Sequence, residues 1–401
     1  MLTLLAAAFK NDASMLVSGR FETLSPPLLL AVKKYSPFFM LMAIAVGGIL
    51  LLRRESLSLR VGKIAWVLLV LLLLSAIRSM LYEGQGSSKL FFAFVISAVV
   101  IVLCGVFQSV LGVQKFKETF FRGFFWFSAI FITTNLLLLV TGYGYVAGVV
   151  RFYGTTTHPN FIGFQLAICT VAVAMPVFSS GAQQSRWVFG AKIILFLAGA
   201  YLLVATGSRT AAGSLGIGLV MLAWTARLKM LRIAILACLL VVLPLALTSS
   251  WFDATDDSDL VQVYDRGESG ANTRAGAWGS MSDAIMEKPL FGQGYFVGAS
   301  ENSYLRAAVA FGVPFGLVFF LANLQLMVGW LFRALRQGRE PHSVDHILCA
   351  LSVGLFAGGM LEGFLVDSWS LPKLLLLFLA AMSVRVVPLR RSRPRGAMAH
   401  G

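Results

Sequence analysis

Long runs of apolar residues separated by short polar stretches dominate this chain, and the polar stretches recur at the interval that membrane-crossing helices require. Eleven runs stand out: Ser36–Leu52, Val61–Leu81, Leu90–Val113, Thr119–Thr141, Phe161–Phe178, Trp187–Ala205, Thr210–Ala226, Leu231–Leu247, Tyr304–Phe332, Ile347–Val366 and Trp369–Val387. A helix needs about 20 apolar residues to cross a hydrocarbon core ~30 Å thick. Leu24–Val32, which contains Pro26 and Pro27, adds a candidate short or re-entrant twelfth element. The pattern therefore predicts an all-α, polytopic integral membrane protein. Its expected organisation is N-terminal helices over 1–150, central helices over 151–247, one long extramembrane loop over 248–303, C-terminal helices over 304–387 and a basic tail over 388–401.

Composition strengthens this picture. Of 401 residues, 58% are hydrophobic and only 13% charged, about half the charged fraction of a soluble domain, for which ~25% is typical. Too few polar groups are present to clothe a water-facing surface. The formal net charge of +15 would suggest nucleic acid in a soluble protein. Here it follows the loops, so a nucleic-acid partner is not expected and the bilayer is. Cys104, Cys169, Cys238 and Cys349 lie singly in apolar runs, which reads as small hydrophobes rather than disulfides or a metal pattern. Lys10, Asn11 and Asp12 interrupt the first apolar run and no small-residue cleavage site follows, so no cleaved signal peptide is expected.

Basic residues cluster in alternate loops: Arg53, Arg54, Arg60 and Lys63; Lys115, Lys117 and Arg122; Arg186 and Lys192; Arg227, Lys229 and Arg232; Arg333, Arg336 and Arg339; and a tail from Arg385 to Arg395. The positive-inside rule makes these cytoplasmic, together with the C-terminus. The segment Thr248–Ser303 then lies on the opposite, outer side of the membrane. Between Trp251 and Glu301 it holds nine acidic and three basic residues. Within it, Asn272 is a candidate cap for a short helix that presents Trp278, Met281 and Ile285 on one face and ends before Pro289. The glycine-punctuated turn Leu290–Tyr295 lacks the preceding strand and following lysine of a phosphate loop.

Ionisable groups at span edges are costly and mark candidate chemistry. Arg209 follows Thr206-Gly207-Ser208 at a hairpin tip with almost no loop. Its guanidinium either clamps an anion or reaches lipid phosphates. Arg274 and Arg266 sit in the acidic loop, where ion pairs with neighbouring carboxylates are the simpler explanation; the pair Asp257 and Asp259 reads as a solvated surface rather than a metal site. Glu301, Asn302, Ser303 and Tyr304 stand where the chain re-enters the membrane, with Arg306 one turn on. A carboxylate there is either a general base or a charge favoured by the helix dipole. His158 precedes Pro159 and Asn160 at the start of a span, with Arg151 just upstream, while Arg78, Lys192, Glu362, Asp367 and Lys373 lie deeper.

Taken together, these pieces resemble the O-antigen ligase and Wzy/ExoQ-type polysaccharide polymerase superfamily. The resemblance runs from Arg151 to Gly316 and rests on several motifs: His158-Pro159-Asn160 with Gly163, Thr206 to Thr210, Arg274 with Trp278, Pro289 to Gly294, Glu301 to Leu305, then Gly312 and Gly316. It implies a GT-C-like helical fold and transfer of a glycan from an undecaprenyl-pyrophosphate-linked oligosaccharide to an acceptor hydroxyl. No metal and no cofactor are implied. By the same resemblance, Arg209, Arg274, Arg266 and Arg151 would hold the pyrophosphate, assisted by Asn302 and Tyr304, and Glu301 or His158 would take the acceptor proton. Ligases of this superfamily usually carry His where Glu301 stands, which favours a chain-extending polymerase, with a chain-length regulator as a candidate partner. A lipid or polysaccharide transporter built around Glu362 and Lys373 is the rival from another class.

Overall fold

A computed structural model describes residues 4, 8, 35, 38, 41–50, 59–83, 86–146, 149–156, 158–178, 185–228, 231–232, 273–294, 302–337, 343–366 and 370–384, with backbone alone at 83, 86–88, 146, 149–150 and 273–275. Helix α1 covers Leu41–Leu50. It is followed by α2 (Lys63–Glu83) and by α3 (Gly86–Val100), which runs through a wider π-helical turn, Ile101–Val106, into α4 (Phe107–Leu111). Then come α5 (Val113–Val140), a β-hairpin of β1 (Tyr145–Val146) and β2 (Val149–Phe152), α6 (Pro159–Phe178), α7 (Arg186–Ala205) and α8 (Arg209–Thr225). The remaining helices are α9 (Thr273–Glu287), α10 (Ser303–Phe311), α11 (Val313–Arg336), α12 (Val344–Leu361) and α13 (Leu371–Ala381). Seven helices among the described residues are long and apolar enough to span a membrane. The protein is an all-α multi-pass membrane protein with one small antiparallel hairpin, in which Tyr145 faces Phe152.

Helix α6 is the central post. Nearly all of its side chains are buried, and it packs against α5, α7, α8, α12 and α13. Close approach is made by small residues, as expected where lipid offers no hydrophobic drive between helices. A Cβ on Gly163 would lie 2.8 Å from the Thr206 hydroxyl and 2.9 Å from Ser208 Cβ, so only glycine lets α6 meet the α7–α8 tip. By contrast α7 turns Trp187, Ile194, Leu197 and Tyr201 outward, the face a helix presents to lipid. On α5, Phe120, Phe124, Phe127 and Phe131 form a stacked ladder at helical spacing.

Three expected boundaries are corrected. The apolar run Tyr304–Phe332 is not one span: it breaks at Gly312, with φ of 97°, between α10 and α11. The cause lies outside the run, in the turn after α9. Pro289 O accepts from the Val313 amide at 2.8 Å, and the Gln293 and Gly294 amides donate to Val309 O (2.7 Å) and Ala310 O (2.9 Å). These bonds satisfy carbonyls that the end of α10 would otherwise leave open. A Cβ on Gly312 would lie 2.1 Å from Leu290 O, so the crossing tolerates no side chain. Among the described residues of the run Trp369–Val387, the helix covers Leu371–Ala381, capped by Ser370. The helix expected from Thr119 begins at Val113, because Gly112 with φ of 81° ends the preceding helix there. Leu24–Val32 lies outside the described residues, as does Leu231–Leu247 beyond its first two positions.

At one end of the bundle α5 meets α12 through a buried ion pair, Lys117 Nζ to Asp345 Oδ1 at 2.8 Å. The Trp330 ring, itself fully buried, lies 4.9 Å from the Lys117 ammonium and 4.8 Å from the Arg333 guanidinium.

Candidate functional site

The other end of the bundle gathers polar side chains from five elements. Helix α7 stops at Ala205 because Thr206 folds back, its hydroxyl donating to Leu203 O at 2.7 Å. Gly207, with φ of 62°, turns the chain. Ser208 then caps α8 by accepting from the Ala211 amide at 3.3 Å. Arg209 is thereby the first helical residue of α8, exposed at the tip, where the helix N-terminal dipole adds to its positive charge toward an anion.

Arg151 on β2 reaches across to this tip. Its Nε donates to Thr206 O at 2.8 Å and its Nη2 to Asn160 Oδ1 at 2.7 Å. Asn160 passes the connection on, its Nδ2 donating to Glu362 Oε1 at 3.2 Å. Glu362 ends α12, and its backbone carbonyl accepts from the Ser303 hydroxyl at 2.5 Å, while Ser303 Oγ accepts from the Leu365 amide at 3.2 Å. The first residues of α6, the α7–α8 tip, the end of α12 and the start of α10 are thus joined by directional bonds. Each bond to a charged group in such a setting contributes roughly 1.5–3 kcal/mol.

Asn302 caps α10, accepting from the Tyr304 and Leu305 amides at 2.9 and 3.0 Å. It is buried, so its carboxamide is committed to the helix end. Tyr304 turns inward among Phe319, Phe320 and Phe356. Arg306 follows on the same helical turn, half-buried, its amide bonded to Asn302 O. His158 stands at the entry to α6, exposed, with Nδ1 accepting from the Asn160 amide at 3.2 Å. Desolvation by the surrounding chain, followed by repulsion from Arg151, lowers its pKa below the usual 6.5. Its ring is therefore neutral near pH 7.

Of the residues singled out from sequence, Arg151, His158, Arg209, Asn302 and Tyr304 sit on the elements that converge at this end. Arg274 falls in the first turn of α9. That helix is tied to α10 through Gln293, whose Nε2 donates to Ala284 O (3.3 Å) and Glu287 Oε2 (3.0 Å). The expected α9 face is partly realised: Met281 is buried and Ile285 half-buried, while Trp278 is more exposed. Glu301, Arg266, Asn272 and the Asp256–Asp259 cluster lie outside the described residues. The sequence marks Glu362 as a deep ionisable group without an assigned partner, and pairs it with Lys373 only in the transporter reading. In the structure Glu362 bonds Asn160, and Lys373 Nζ donates to Val366 O at 2.8 Å. The available signal was a lone carboxylate directly after an apolar helix, which cannot by itself identify a partner 202 residues away.

Residues 194–321 match the family model described as O-Antigen ligase (Wzy_C). The match covers α7 from Ile194 onward, the hairpin tip with Arg209, helices α8, α9 and α10, and the start of α11. Over these residues the chain is similar to O-antigen ligases, which supports a function of O-antigen ligase or polymerase type, glycosyl transfer in general. No curated protein matches the chain.

Proposed function

With an O-antigen ligase domain over residues 194–321 as the premise, we propose that this protein is a membrane glycan polymerase. It joins undecaprenyl-pyrophosphate-linked repeat units on the periplasmic face of the bacterial inner membrane, with its C-terminus cytoplasmic. The observation that carries this reading is the Arg151 bridge, which binds the α7–α8 tip bearing Arg209 to the start of α6 bearing His158.

In the proposed step the acceptor hydroxyl oxygen attacks the anomeric carbon of the donor glycan. The carbon–oxygen bond to pyrophosphate breaks, the acceptor proton passes to a base, and undecaprenyl pyrophosphate leaves with inversion. Pyrophosphate is a good leaving group that needs positive charge fixed where its oxygens develop charge. Arg209 supplies it at a helix N-terminus, with Arg151 bonded to the same tip and Arg274 and Arg266 as further proposed pyrophosphate contacts. Asn302 and Tyr304 hold the start of α10, and Glu301, the preceding residue in the chain, is the proposed general base.

His158 takes a different role. A neutral imidazole whose Nδ1 accepts a hydrogen bond carries its proton on Nε2. Its exposed edge is therefore a donor suited to a phosphate or glycosidic oxygen, and the base assignment passes to Glu301.

The test is transfer by the purified full-length protein in nanodiscs supplied with undecaprenyl-pyrophosphate-linked repeats, with products resolved by length. Wild-type protein is expected to build long chains, and Glu301→Ala, Arg209→Ala and Arg274→Ala to stop at the single repeat. Retention of the wild-type length distribution by all three overturns the proposal. The family description itself favours a second reading, a ligase that moves finished glycan onto lipid A core. Supplying that acceptor in place of a second lipid-linked repeat separates the two.

A further inference from the structure

We infer that Glu362 is a positioning residue that aligns both halves of the transfer site; the inference rests on the glycosyl-transfer reading above. Glu362 is buried, with 4% of its surface exposed, so its carboxylate does not reach a sugar. Its two polar ends nevertheless face the two halves of the site. Through the side chain, Oε1 accepts from Asn160 Nδ2 at 3.2 Å. An amide has one donor side and one acceptor side, so this bond dictates which way Asn160 is turned. With its NH₂ committed to Glu362, its Oδ1 faces Arg151 and accepts from Nη2 at 2.7 Å. Arg151 in turn holds the carbonyl of Thr206, three residues before Arg209. The same residue Asn160 donates its backbone amide to His158. Through the main chain, Glu362 O accepts from Ser303, adjacent to the Asn302 cap and two positions from Glu301.

Removing the carboxylate takes away the acceptor of Asn160 Nδ2, so the amide is held from the Arg151 side alone. The hairpin tip is then fixed less firmly relative to the α6 entry. A displacement of about 1 Å in a positioned site costs roughly 10²-fold in turnover. The structure assigns this role by geometry, since the two ends of one residue contact elements from opposite sides of the site.

The experiment uses the full-length protein in nanodiscs with lipid-linked repeats, comparing Glu362→Ala, Glu362→Gln, Asn160→Asp and the double variant Asn160→Asp/Glu362→Gln. Turnover and KM are measured alongside the thermal midpoint. Glu362→Ala is expected to lower kcat about 10²-fold with KM changed less than about threefold. Glu362→Gln keeps an acceptor for Asn160 and is expected to retain kcat within about tenfold, which a proton-transferring carboxylate would not do. Asn160→Asp opposes two carboxylates and is expected to be as impaired as the alanine variant. The double variant exchanges amide and carboxylate across the same bond and is expected to recover at least about tenfold over Asn160→Asp.

Wild-type kcat in folded Glu362→Ala overturns the inference while leaving the transfer reading intact. So does a double variant no better than Asn160→Asp, or one that recovers the thermal midpoint without kcat. If Glu362→Ala does not fold, the glutamine and exchange variants decide by the same criteria. Wild-type protein that transfers nothing overturns the transfer reading, and the inference with it.

Discussion

The two ends of helix α12 each carry a buried carboxylate, held in contrasting ways. Asp345, in the first turn, forms a direct ion pair with Lys117 beneath the Trp330 ring. Glu362, just past the last turn, works through the amide of Asn160 to Arg151 and the hairpin tip. Glu362 lies seventeen positions after Asp345, about 26 Å along the helix at ~1.5 Å per residue. The first arrangement ties α5 to α12 and stays inside the protein. The second ends at an exposed arginine and an exposed histidine on loop-proximal residues. Burial and charge alone therefore do not mark a functional site. What separates the two is whether the hydrogen bonds lead outward to groups that a substrate can touch.

The contrast can be broken most directly at the tip. Arg209→Ala is expected to lower transfer about 10²- to 10³-fold, the range for removing a fixed donor from a developing anion. Being exposed, it is expected to change stability by less than about 1 kcal/mol. Parallel turnover and thermal-melting measurements check both halves, and a large stability loss with intact turnover would place Arg209 with the Asp345 end instead.

At the opposite end the effects are expected to reverse. Lys117→Met strands a buried carboxylate and is expected to cost about 3–5 kcal/mol of stability, while transfer per folded molecule stays unchanged. Lys117→Met/Asp345→Leu, which removes both charges, is expected to regain most of that loss. Denaturation in detergent reads the first quantity, and folded-fraction-corrected turnover reads the second.

Gly312 lies between these extremes, because it is a packing residue that sets where α10 ends and α11 begins. Gly312→Ala forces a side chain into a left-handed conformation, costing roughly 1–3 kcal/mol, and adds the clash with Leu290 O. The expected outcome is a lowered thermal midpoint, with faster amide exchange confined to α10 and the 289–294 turn.

The smallest effect is the pH response of His158. Its folded pKa lies below 6.5, so the folded state binds fewer protons than the unfolded state. Its contribution to stability is complete above the unfolded value and is lost as pH falls through the folded one. Melting curves recorded from about pH 8 to about pH 5 are expected to lose less stability on acidification in His158→Ala than in wild type. Identical curves would remove the neutral reading of the ring.

Much of the architecture was legible beforehand, for reasons specific to membranes. A helix that crosses lipid must satisfy its backbone internally and present apolar side chains for its full length. The spans at α2, α5, α6, α7 and α12 therefore show as runs that need no tertiary information. The Thr206-Gly207-Ser208 tip was equally local, since the cap residues and turn glycine adjoin one another. The break at Gly312 was not legible, because the run on either side is uniformly apolar and the turn that interrupts it comes from a different segment. Likewise, Glu362 could be seen as a costly charge, yet nothing near it in the chain indicated Asn160 rather than Lys373.

Local chemistry, then, settled what must lie in lipid and where the helices begin and end at their capped termini, because those costs are set residue by residue. Tertiary structure alone decided which polar groups meet at the bundle ends. A hydrogen bond needs partners within about 3 Å, and helix packing brings residues as far apart in sequence as Asn160 and Glu362 to that distance. The chain carried the arginines, the histidine and the caps in plain view. The fold determined that Arg151, Asn160 and Glu362 bind them into one site while Lys117 and Asp345 hold the opposite end shut.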